Sequence, residues 1–315
     1  MMLRRTFLTS SVAAIAVPRA ALGQARLPRV AFLSPNSPGV EAVEVFTRAL
    51  EALGWVAGRT VILDVRYSNG DDAQLPGLAE ELLALEPDVF VTNSSRGTAV
   101  AGAATKTVPV VARFDEPQAL DDLVGPNLGR PQGNVTGVLG TPILMAGVLV
   151  EIAAELVPSS GSIGYLSDLG LPTRDSTEEA AARAAALGLT FVRADATVAA
   201  DLPPAFSLWA RSRVAAAVVP NATLFSNERA LVLRLAAASS FPVVYCAPAT
   251  AAAGGLMSYG TDSAPDFRLM AAYVDRILRG ACPRDLPVEV ASPVMTRMRY
   301  SRKSDSDPSY RAGVC

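Results

Sequence analysis

Residues 29–55, RVAFLSPNSPGVEAVEVFTRALEALGW, contain the clearest strand–loop–helix pattern of the chain. The run at 29–33 predicts a buried strand, and apolar residues recur at helical spacing over 40–53. Gly54 stands where a residue in the left-handed conformation commonly ends a helix. A strand, a polar loop and a helix in this order are the repeating unit of a parallel α/β sheet.

The same alternation continues in two series along the chain. The first series adds predicted strands at 60–65, 88–92, 108–113 and 134–139 and helices at 73–85 and 97–105. The second has strands at 162–166, 189–193, 215–219 and 242–245 and helices at 176–187, 201–212 and 224–238. Such alternation implies parallel sheets with right-handed crossovers. We therefore predict an α/β protein of two Rossmann-like, doubly wound lobes; a single Rossmann-type domain with a cap is the alternative.

Residues 1–25 have the pattern of an export signal. RRTFL (4–8) is followed by the uncharged run 8–18 and by GQA (23–25), as in secretory signals. The paired arginines before x-Phe-Leu are typical of the twin-arginine pathway. An apolar run of about 11 residues is shorter than the roughly 20 that a membrane-spanning helix needs. Because no cysteine follows this run, we predict a soluble periplasmic protein without a lipid anchor.

Composition excludes several functional classes. Without the three arginines of the signal, 25 basic residues face 30 acidic ones, a net charge of about −5 that argues against nucleic acid as a partner. The chain has no histidine, which excludes Ser-His-Asp and Cys-His catalysis and histidine-based metal sites. GxGxxG and GxxxxGK[ST] motifs are absent as well. We expect no cofactor and no metal, and a binding protein rather than an enzyme.

Three cysteines, Cys246, Cys282 and Cys315, have no metal-ligand spacing. Two interpretations stay open at this point. In an oxidising compartment Cys246 and Cys282 would be able to form a disulfide. Otherwise all three are buried or incidental thiols.

Candidate ligand-binding residues follow from a general rule for doubly wound sheets: ligands bind beyond the carboxyl ends of the strands. Hydroxyls and free N–H groups that open a helix there suit a carboxylate, acidic side chains suit an ammonium, and aromatic side chains suit an apolar body. The residues selected in the first series are Ser34, Asn36, Ser37, Asn93, Ser94, Ser95, Thr98, Phe114 and Asp115. Those selected in the second series are Asp168, Asn221 and Tyr245. For each hydroxyl or amide the alternative is helix capping, and for each aromatic residue it is the core.

At these residues the chain resembles the substrate-binding proteins of ABC transporters of the tryptophan/tyrosine type. The matching motifs run in order along nearly the whole chain after residue 25. They are RVAFLSPNSPG (29–39), LEALGWVAGRTVILDVRYSNGDDAQLPGLAEEL (50–82), PDVFVTNSSRGTAVAGAATKTVPVV (87–111), GRPQGNVTGV (129–138), AGGLMSYG (253–260) and YVDRILRGACPRDLPVE (273–289).

The resemblance implies a type I periplasmic-binding-protein fold, in which a three-segment hinge joins the lobes and the ligand lies between them. Lobe one would comprise 26–141 and 257–282, and lobe two 142–256 and 283–291, with the hinge near Thr141, Ser258 and Pro283. The helix near 266–278 would pack on lobe one. Ser258 and Tyr259 would lie beside the cleft.

The implied function is the extracytoplasmic component of an ABC import system, a monomer that binds a small amino-acid-like or carboxylate ligand and delivers it to a membrane permease. A ligand-sensing partner of a membrane signalling protein is the alternative, because the same fold serves both uses. A histidine-independent enzyme is a further alternative, but paired carboxylates and nucleophile–base motifs are lacking.

The chain departs from the family pattern in three places. Cys246-Ala247-Pro248-Ala249 follows the predicted strand 242–245, and Asp115-Glu116-Pro117 replaces the usual Gly-Asp-Pro. Both changes touch the cleft. The segment 292–315 is polar and basic without periodicity, which predicts a disordered tail.

Overall fold

The computed structural model describes residues 26–114, 123–140, 145–157, 161–168 and 177–290, and the backbone alone of residues 295–299. The strands of these ranges, β1 to β12, are Arg29–Ser34, Ile62–Tyr67, Val89–Thr92, Val110–Phe114, Val135–Leu139, Ser162–Asp168, Thr190–Ala196, Ala216–Val219, Val243–Tyr245, Met257–Thr261, Glu289–Val290 and Met295–Arg299. The α-helices, α1 to α10, are Glu41–Ala52, Leu75–Leu83, Ser95–Ala104, Ala146–Ala154, Thr177–Ala186, Leu202–Arg211, Thr223–Asn227, Arg229–Ala238, Pro248–Ala252 and Ala264–Leu278.

The strands form two six-stranded sheets. The sheet of lobe one has the order β11-β5-β4-β3-β1-β2, and that of lobe two has the order β12-β10-β9-β8-β6-β7. Every neighbouring pair is parallel except β10 and β12, which are antiparallel. Both sheets therefore contain the same doubly wound order, in which the first strand lies between the second and the third. The predicted α/β fold of two Rossmann-like lobes is confirmed.

The first helix shows how the sequence fixes the lobe-one core. Phe46 and Leu50 are buried on one face of α1, and the ring of Phe46 meets that of Phe32 edge-on at 5.2 Å. The helix ends as predicted, because Gly54 has φ +96° and the amide of Trp55 turns back to the Leu50 carbonyl at 2.9 Å. This face of the sheet is thereby covered by α1.

Helix α10 packs beside α1, so the prediction that the helix near 266–278 belongs to lobe one is confirmed. Phe267, Met270 and Val274 share one core with the residues of α1. The indole N–H of Trp55 also donates to the Asp275 carboxylate at 2.8 Å. The chain thus returns to lobe one after it has built most of lobe two.

The core of lobe two centres on Trp209, whose side chain is fully buried. Its indole N–H donates to the Val192 carbonyl at 3.1 Å, so the buried polar atom has a partner. Gly164 makes room for the ring, since a Cβ at that position would lie 2.8 Å from it. The strand β6 needs a glycine here for that reason.

Strand pairing moves the lobe boundaries from where the sequence placed them. Strand β10 pairs with β9, as Met257 with Val244, and lies in lobe two, although 257–282 was expected in lobe one. The segment 283–290, expected in lobe two, lies in lobe one, where Glu289 pairs with Val138. The physical reason is burial, since Leu286 is fully buried in the lobe-one core. The chain therefore crosses between β5 and α4, between β10 and α10, and after β11.

The predicted tail also differs, because residues 295–299 form a strand that pairs with β10. The unpaired backbone groups of a sheet edge pair with an extended segment whatever its side chains are, so a polar, basic composition did not reveal it. The hinge residues are placed differently too. Ser258 lies within β10, and Pro283 begins a short 3-10 turn in lobe one. Thr141, the export signal 1–25 and the rest of the tail lie outside the described residues.

Both Cys246 and Cys282 are free thiols in the structure, so the disulfide interpretation is not supported. Cys246 follows β9 in lobe two, whereas Cys282 follows α10 in lobe one. Within the described part of the chain, no helix has the length and apolar character to cross a membrane.

Candidate functional site

Loops at the carboxyl ends of the two sheets meet, and we call the space between these two ends the cleft. The backbone N–H of Ser37, in the loop after β1, donates to Oδ1 of Asn227, at the end of α7, at 2.8 Å. Strand β1 leads into the first loop and β8 precedes the second, so strand-end loops of both lobes meet. This is the position at which doubly wound folds bind ligands.

The order of strands in lobe one reverses between β1 and β3, and two asparagines meet at that point. Asn93 follows β3, and its Nδ2 donates to Oδ1 of Asn36, in the loop after β1, at 3.2 Å. The backbone N–H of Asn36 in turn donates to the hydroxyl of Ser34 at 3.2 Å. Side chains from two strand ends therefore form one polar cluster at the topological switch point.

Three buried side chains at this edge carry polar atoms that lack a hydrogen-bond partner in the described chain. They are the hydroxyls of Ser68 and Thr92 and the Oδ1 atom of Asn93, which we call the lobe-one polar edge. Ser68 and Thr92 are fully buried, and Asn93 is 8% exposed. A buried polar atom without a partner costs about 1–3 kcal/mol, so such atoms in a folded protein call for a specific explanation.

Helix α3 begins directly above this edge. The hydroxyl of Ser94 accepts from the N–H of Gly97 at 3.0 Å and caps the helix. The Thr92 hydroxyl lies against the same turn, since a Cβ on Gly97 would come within 2.4 Å of it. The N-terminus of a helix carries partial positive charge and free N–H groups. Anionic groups are therefore favoured at this edge.

A buried ion pair lies on the hinge side of lobe one. Nε of Arg113, in β4, is 2.9 Å from Oδ2 of Asp266, in the first turn of α10. The two side chains are 16% and 7% exposed. The guanidinium also passes close to Gly140, where a Cβ would lie 2.4 Å from it. Because Gly140 precedes one crossing of the chain and Asp266 follows another, the pair lies beside two of the three segments that join the lobes.

A small cavity lies at the carboxyl edge of lobe two, beside the ends of β8 and β9. It measures about 10 Å³, room for no more than one water molecule, and its lining includes Phe225, Tyr245, Cys246 and Ala247, which we call the lobe-two apolar edge. Burial raises the pKa of the Cys246 thiol to about 11, so the sulfur is neutral at physiological pH. The polar residues Asn221, Ser226 and Thr250 line the same cavity, and Asn221 is exposed.

The structure brings together most of the residues predicted in lobe one. Those at the carboxyl edge of its sheet are Ser34, Asn36, Ser37, Asn93, Ser94 and Ser95. Thr98 is fully buried, and its hydroxyl donates to the Ser94 carbonyl at 2.7 Å, so it is occupied within α3. Phe114 is fully buried in the lobe-one core and forms no cleft wall, and Asp115 lies outside the described residues.

The residues predicted in lobe two are more scattered. Asp168 and Asn221 end or follow strands at the carboxyl edge, as expected. Tyr245, 2% exposed, belongs to the core as well as to the apolar edge. Ser258 and Tyr259 lie inside β10, where Ser258 is fully buried and Tyr259 packs on the core against α4. These last two are sheet residues rather than hinge residues, because β10 stays in lobe two.

Sequence reasoning missed Ser68, Thr92, Arg113 and Asn227. Thr92 and Arg113 lie in predicted strands, which suggested pairing rather than a site. Ser68 directly follows β2, so the strand-end rule would have selected it if it had been applied to every strand. Asn227 lies within a segment predicted to be one continuous helix, and no pattern marked it.

Comparisons with known proteins agree with this geometry. The family model of the ABC transporter substrate binding protein matches residues 31–296. No curated protein matches the chain. Among solved structures, a conserved domain protein from Vibrio cholerae has a TM-score of 0.71 at 25% identity, covering 87% of this chain and 92% of that one.

Two other similar structures contain bound ligands. An ABC domain from Streptococcus pneumonia, in complex with L-Trp, has a TM-score of 0.67 at 24% identity and covers 84% of this chain and 90% of its own. An ABC transporter solute binding protein from Bacillus halodurans, with bound myo-inositol, has a TM-score of 0.59 at 14% identity and covers 87% and 94%.

These likenesses extend over most of this chain and of each similar structure. Members of the matched family are extracytoplasmic binding proteins that take up small molecules and work with membrane permeases; they are not enzymes. With the family model matching most of its length, the chain belongs to the family of ABC transporter substrate-binding proteins.

Proposed function

We propose that this protein is the periplasmic solute-binding component of an ABC import system and that it binds a small amino-acid-like or carboxylate ligand between its lobes. The observation that carries the proposal is the lobe-one polar edge, with its buried, unpartnered atoms on Ser68, Thr92 and Asn93. A ligand that hydrogen-bonds to these atoms would remove the cost of leaving them unpaired.

The chemistry of the two edges supports this ligand class. The start of α3 and the hydroxyls beside it suit a carboxylate, and the apolar edge of lobe two suits an aliphatic or aromatic body. Similar folds hold L-Trp in one structure and myo-inositol or D-allose in others. The start of α3 favours a ligand that carries an anionic group over a neutral polyol.

A thermal-shift screen tests the ligand class. Amino acids, aromatic acids and small carboxylates form one set, and polyols and sugars form the control set. A ligand at 100 times its dissociation constant stabilises the folded state by about 2.7 kcal/mol, so a true ligand raises the melting temperature clearly. Mass spectrometry of small molecules released from the denatured protein gives an independent identification. Hits confined to the polyol set would contradict the proposal.

The export signal supports the periplasmic location, and a double substitution tests it. The variant with Arg4→Lys and Arg5→Lys is expected to leave the precursor in the cytoplasm, because the twin-arginine pathway reads that pair. Fractionation followed by immunoblotting measures the effect. Normal export of this variant would contradict the twin-arginine assignment and leave general secretion as the route.

A further inference from the structure

Two loops of lobe one are tied into one rim at the mouth of the cleft. The N–H of Ser68, after β2, donates to the Ser34 carbonyl at 3.0 Å, and the N–H of Gly70 donates to the Pro35 carbonyl at 2.7 Å. Gly70 adopts φ +88°, a conformation that glycine accepts readily. The loops after β1 and β2 therefore move as one unit.

This rim lies far from the segments that join the lobes. The sheet order places β1 and β2 at one side of lobe one and β5 and β11 at the other. The chain leaves lobe one after β5 and again after β11, so the joining segments lie on that other side. A contact at the rim acts at the greatest distance from the hinge, where lobe separation during opening is largest.

Asn227 of lobe two contacts this rim from across the cleft. Its Oδ1 accepts from the backbone N–H of Ser37 at 2.8 Å, and its Nδ2 would lie 3.5 Å from a Cβ at Gly70. Asn227 thus bonds to one loop of the rim and lies close to the other. The break between α7 and α8 at Glu228, with φ −95° and ψ 20°, places this side chain at a helix end.

A second contact between the lobes is much weaker. Nη1 of Arg229 lies 3.9 Å from Oε1 of Glu41, whose side chain is 58% exposed. Exposed ion pairs at such distances contribute little to stability. The short hydrogen bond to a backbone group makes Asn227 the principal contact of lobe two with the rim among the described residues.

The Asn227 contact is also connected to the lobe-one polar edge. Ser37 directly follows Asn36, and Asn36 receives the Asn93 amide at 3.2 Å. A displacement of the loop after β1 therefore shifts the partner of Asn93. Closure at the rim and the position of a candidate ligand-binding side chain depend on one loop.

We propose that Asn227 is a latch residue: it fastens the loop after β1 across the mouth of the cleft and thereby holds Asn36 against Asn93. The proposal rests on the proposed function, because it assumes that the cleft is where the ligand lies. It assigns to Asn227 a positioning role through Ser37 rather than contact with the ligand.

Amide hydrogen exchange of the purified protein, followed by NMR, tests the latch without any ligand. In the wild-type protein the Ser37 amide is expected to exchange at least tenfold more slowly than in an unstructured peptide. Asn227→Ala removes the acceptor and is expected to raise the Ser37 rate about tenfold, with unchanged exchange in β6 and β7. Asn227→Asp keeps an Oδ acceptor and is expected to retain most of the protection.

Arg229→Ala is the matched control, since it removes the weak contact only two residues away. It is expected to change the Ser37 rate less than twofold. A Ser37 amide that is unprotected in the wild type, or unaffected by Asn227→Ala, would overturn the latch, as would equal effects of the two alanine variants. The exchange experiment uses protein without ligand. A failed ligand screen would therefore count against the proposed function but would not affect the interpretation of the exchange rates.

Discussion

The two edges of the cleft carry different chemical groups. The lobe-one polar edge offers hydroxyl and amide oxygens that are buried without partners, next to the capped start of α3. The lobe-two apolar edge consists of the buried rings of Phe225 and Tyr245, a neutral thiol and Ala247. The same strand order underlies both lobes, so the fold alone does not cause this difference.

The difference indicates that the two lobes have different roles, although they share one architecture. Unpartnered buried atoms destabilise lobe one when it stands alone, and a ligand would compensate for them. Apolar side chains need no hydrogen-bond partner, and they can pack against an apolar group that lies opposite them. Lobe one is therefore expected to determine which polar group is bound, and lobe two to determine the size of the apolar body.

The largest expected effect is on the free energy of unfolding, and it compares one ion pair from each lobe. Asp266→Ala removes the buried carboxylate that pairs with the partly buried Arg113, and breaking a buried ion pair costs up to about 3–5 kcal/mol of the free energy of unfolding. Asp195→Ala breaks the exposed pair with Arg193 in lobe two, which costs at most about 1 kcal/mol. Urea unfolding of both variants measures the contrast. Equal losses would show that the lobes do not differ in this respect.

A smaller effect follows from the thiol of lobe two. Since burial raises the pKa of Cys246 from 9.0 to about 11, the folded protein keeps a proton that the unfolded chain releases in this range. The contribution to stability is complete below pH 9 and is lost as the pH rises through about 11. The melting temperature of Cys246→Ala should therefore fall less between pH 9 and pH 11 than that of the wild type.

Cys282 supplies the control for this pH experiment, because it is an exposed free thiol. Cys282→Ala removes a thiol outside the lobe-two apolar edge and serves as the comparison variant. Iodoacetamide at pH 8 should label Cys246 more slowly than the exposed Cys282, because burial keeps the Cys246 sulfur neutral and poorly accessible. Rapid labelling of Cys246 would contradict the picture of a dry, apolar edge in lobe two.

The smallest expected effect compares one buried, unpartnered hydroxyl from each lobe. Ser68→Ala and Ser258→Ala each remove such a group, so each is expected to raise the free energy of unfolding by about 1 kcal/mol in the ligand-free protein. Only Ser68→Ala should also weaken ligand binding, because Ser258 lies within β10. Thermal unfolding and calorimetry separate the two results. Weaker binding in Ser258→Ala would place that residue in the site.

Most of the helices and strands could be predicted from the sequence, because local patterns determine them. The apolar spacing of Phe46 and Leu50 and the glycine at position 54 were sufficient for α1. The prediction for α3 began at Gly97, two residues late, because the Ser94 cap lies upstream of the apolar pattern. The segment 224–238 was predicted as one helix, but it breaks at Glu228 without a proline or glycine to mark the break.

The assignment of the last strands and the state of the site residues could not be predicted, because both depend on contacts distant in sequence. Strand β11 joins lobe one through Val138, about 150 residues earlier in the chain. Whether the hydroxyls of Thr92 and Thr98 are free depends on the neighbouring backbone. The Thr98 hydroxyl has a backbone partner, whereas that of Thr92 has none in the described chain. Strand-end position identifies candidates, but hydrogen bonding decides among them.

Anchoring of the ligand by the lobe-one polar edge can be tested with a pair of asparagine variants. Asn93 lies at the carboxyl edge of the lobe-one sheet, whereas Asn134, before β5, donates to the carbonyls of Thr105 and Val108 at 3.2 and 2.6 Å at the opposite edge. Asn134→Ala is therefore a matched control that loses stability but leaves the cleft unchanged.

Calorimetric titration of both variants with the ligand found by the screen gives the decisive comparison. We expect Asn93→Ala to weaken binding about tenfold or more, since losing a hydrogen bond to a buried partner costs about 1–3 kcal/mol. We expect Asn134→Ala to bind with wild-type affinity after a loss of unfolding free energy. Wild-type affinity in Asn93→Ala, or an equal loss of affinity in both variants, would contradict the account.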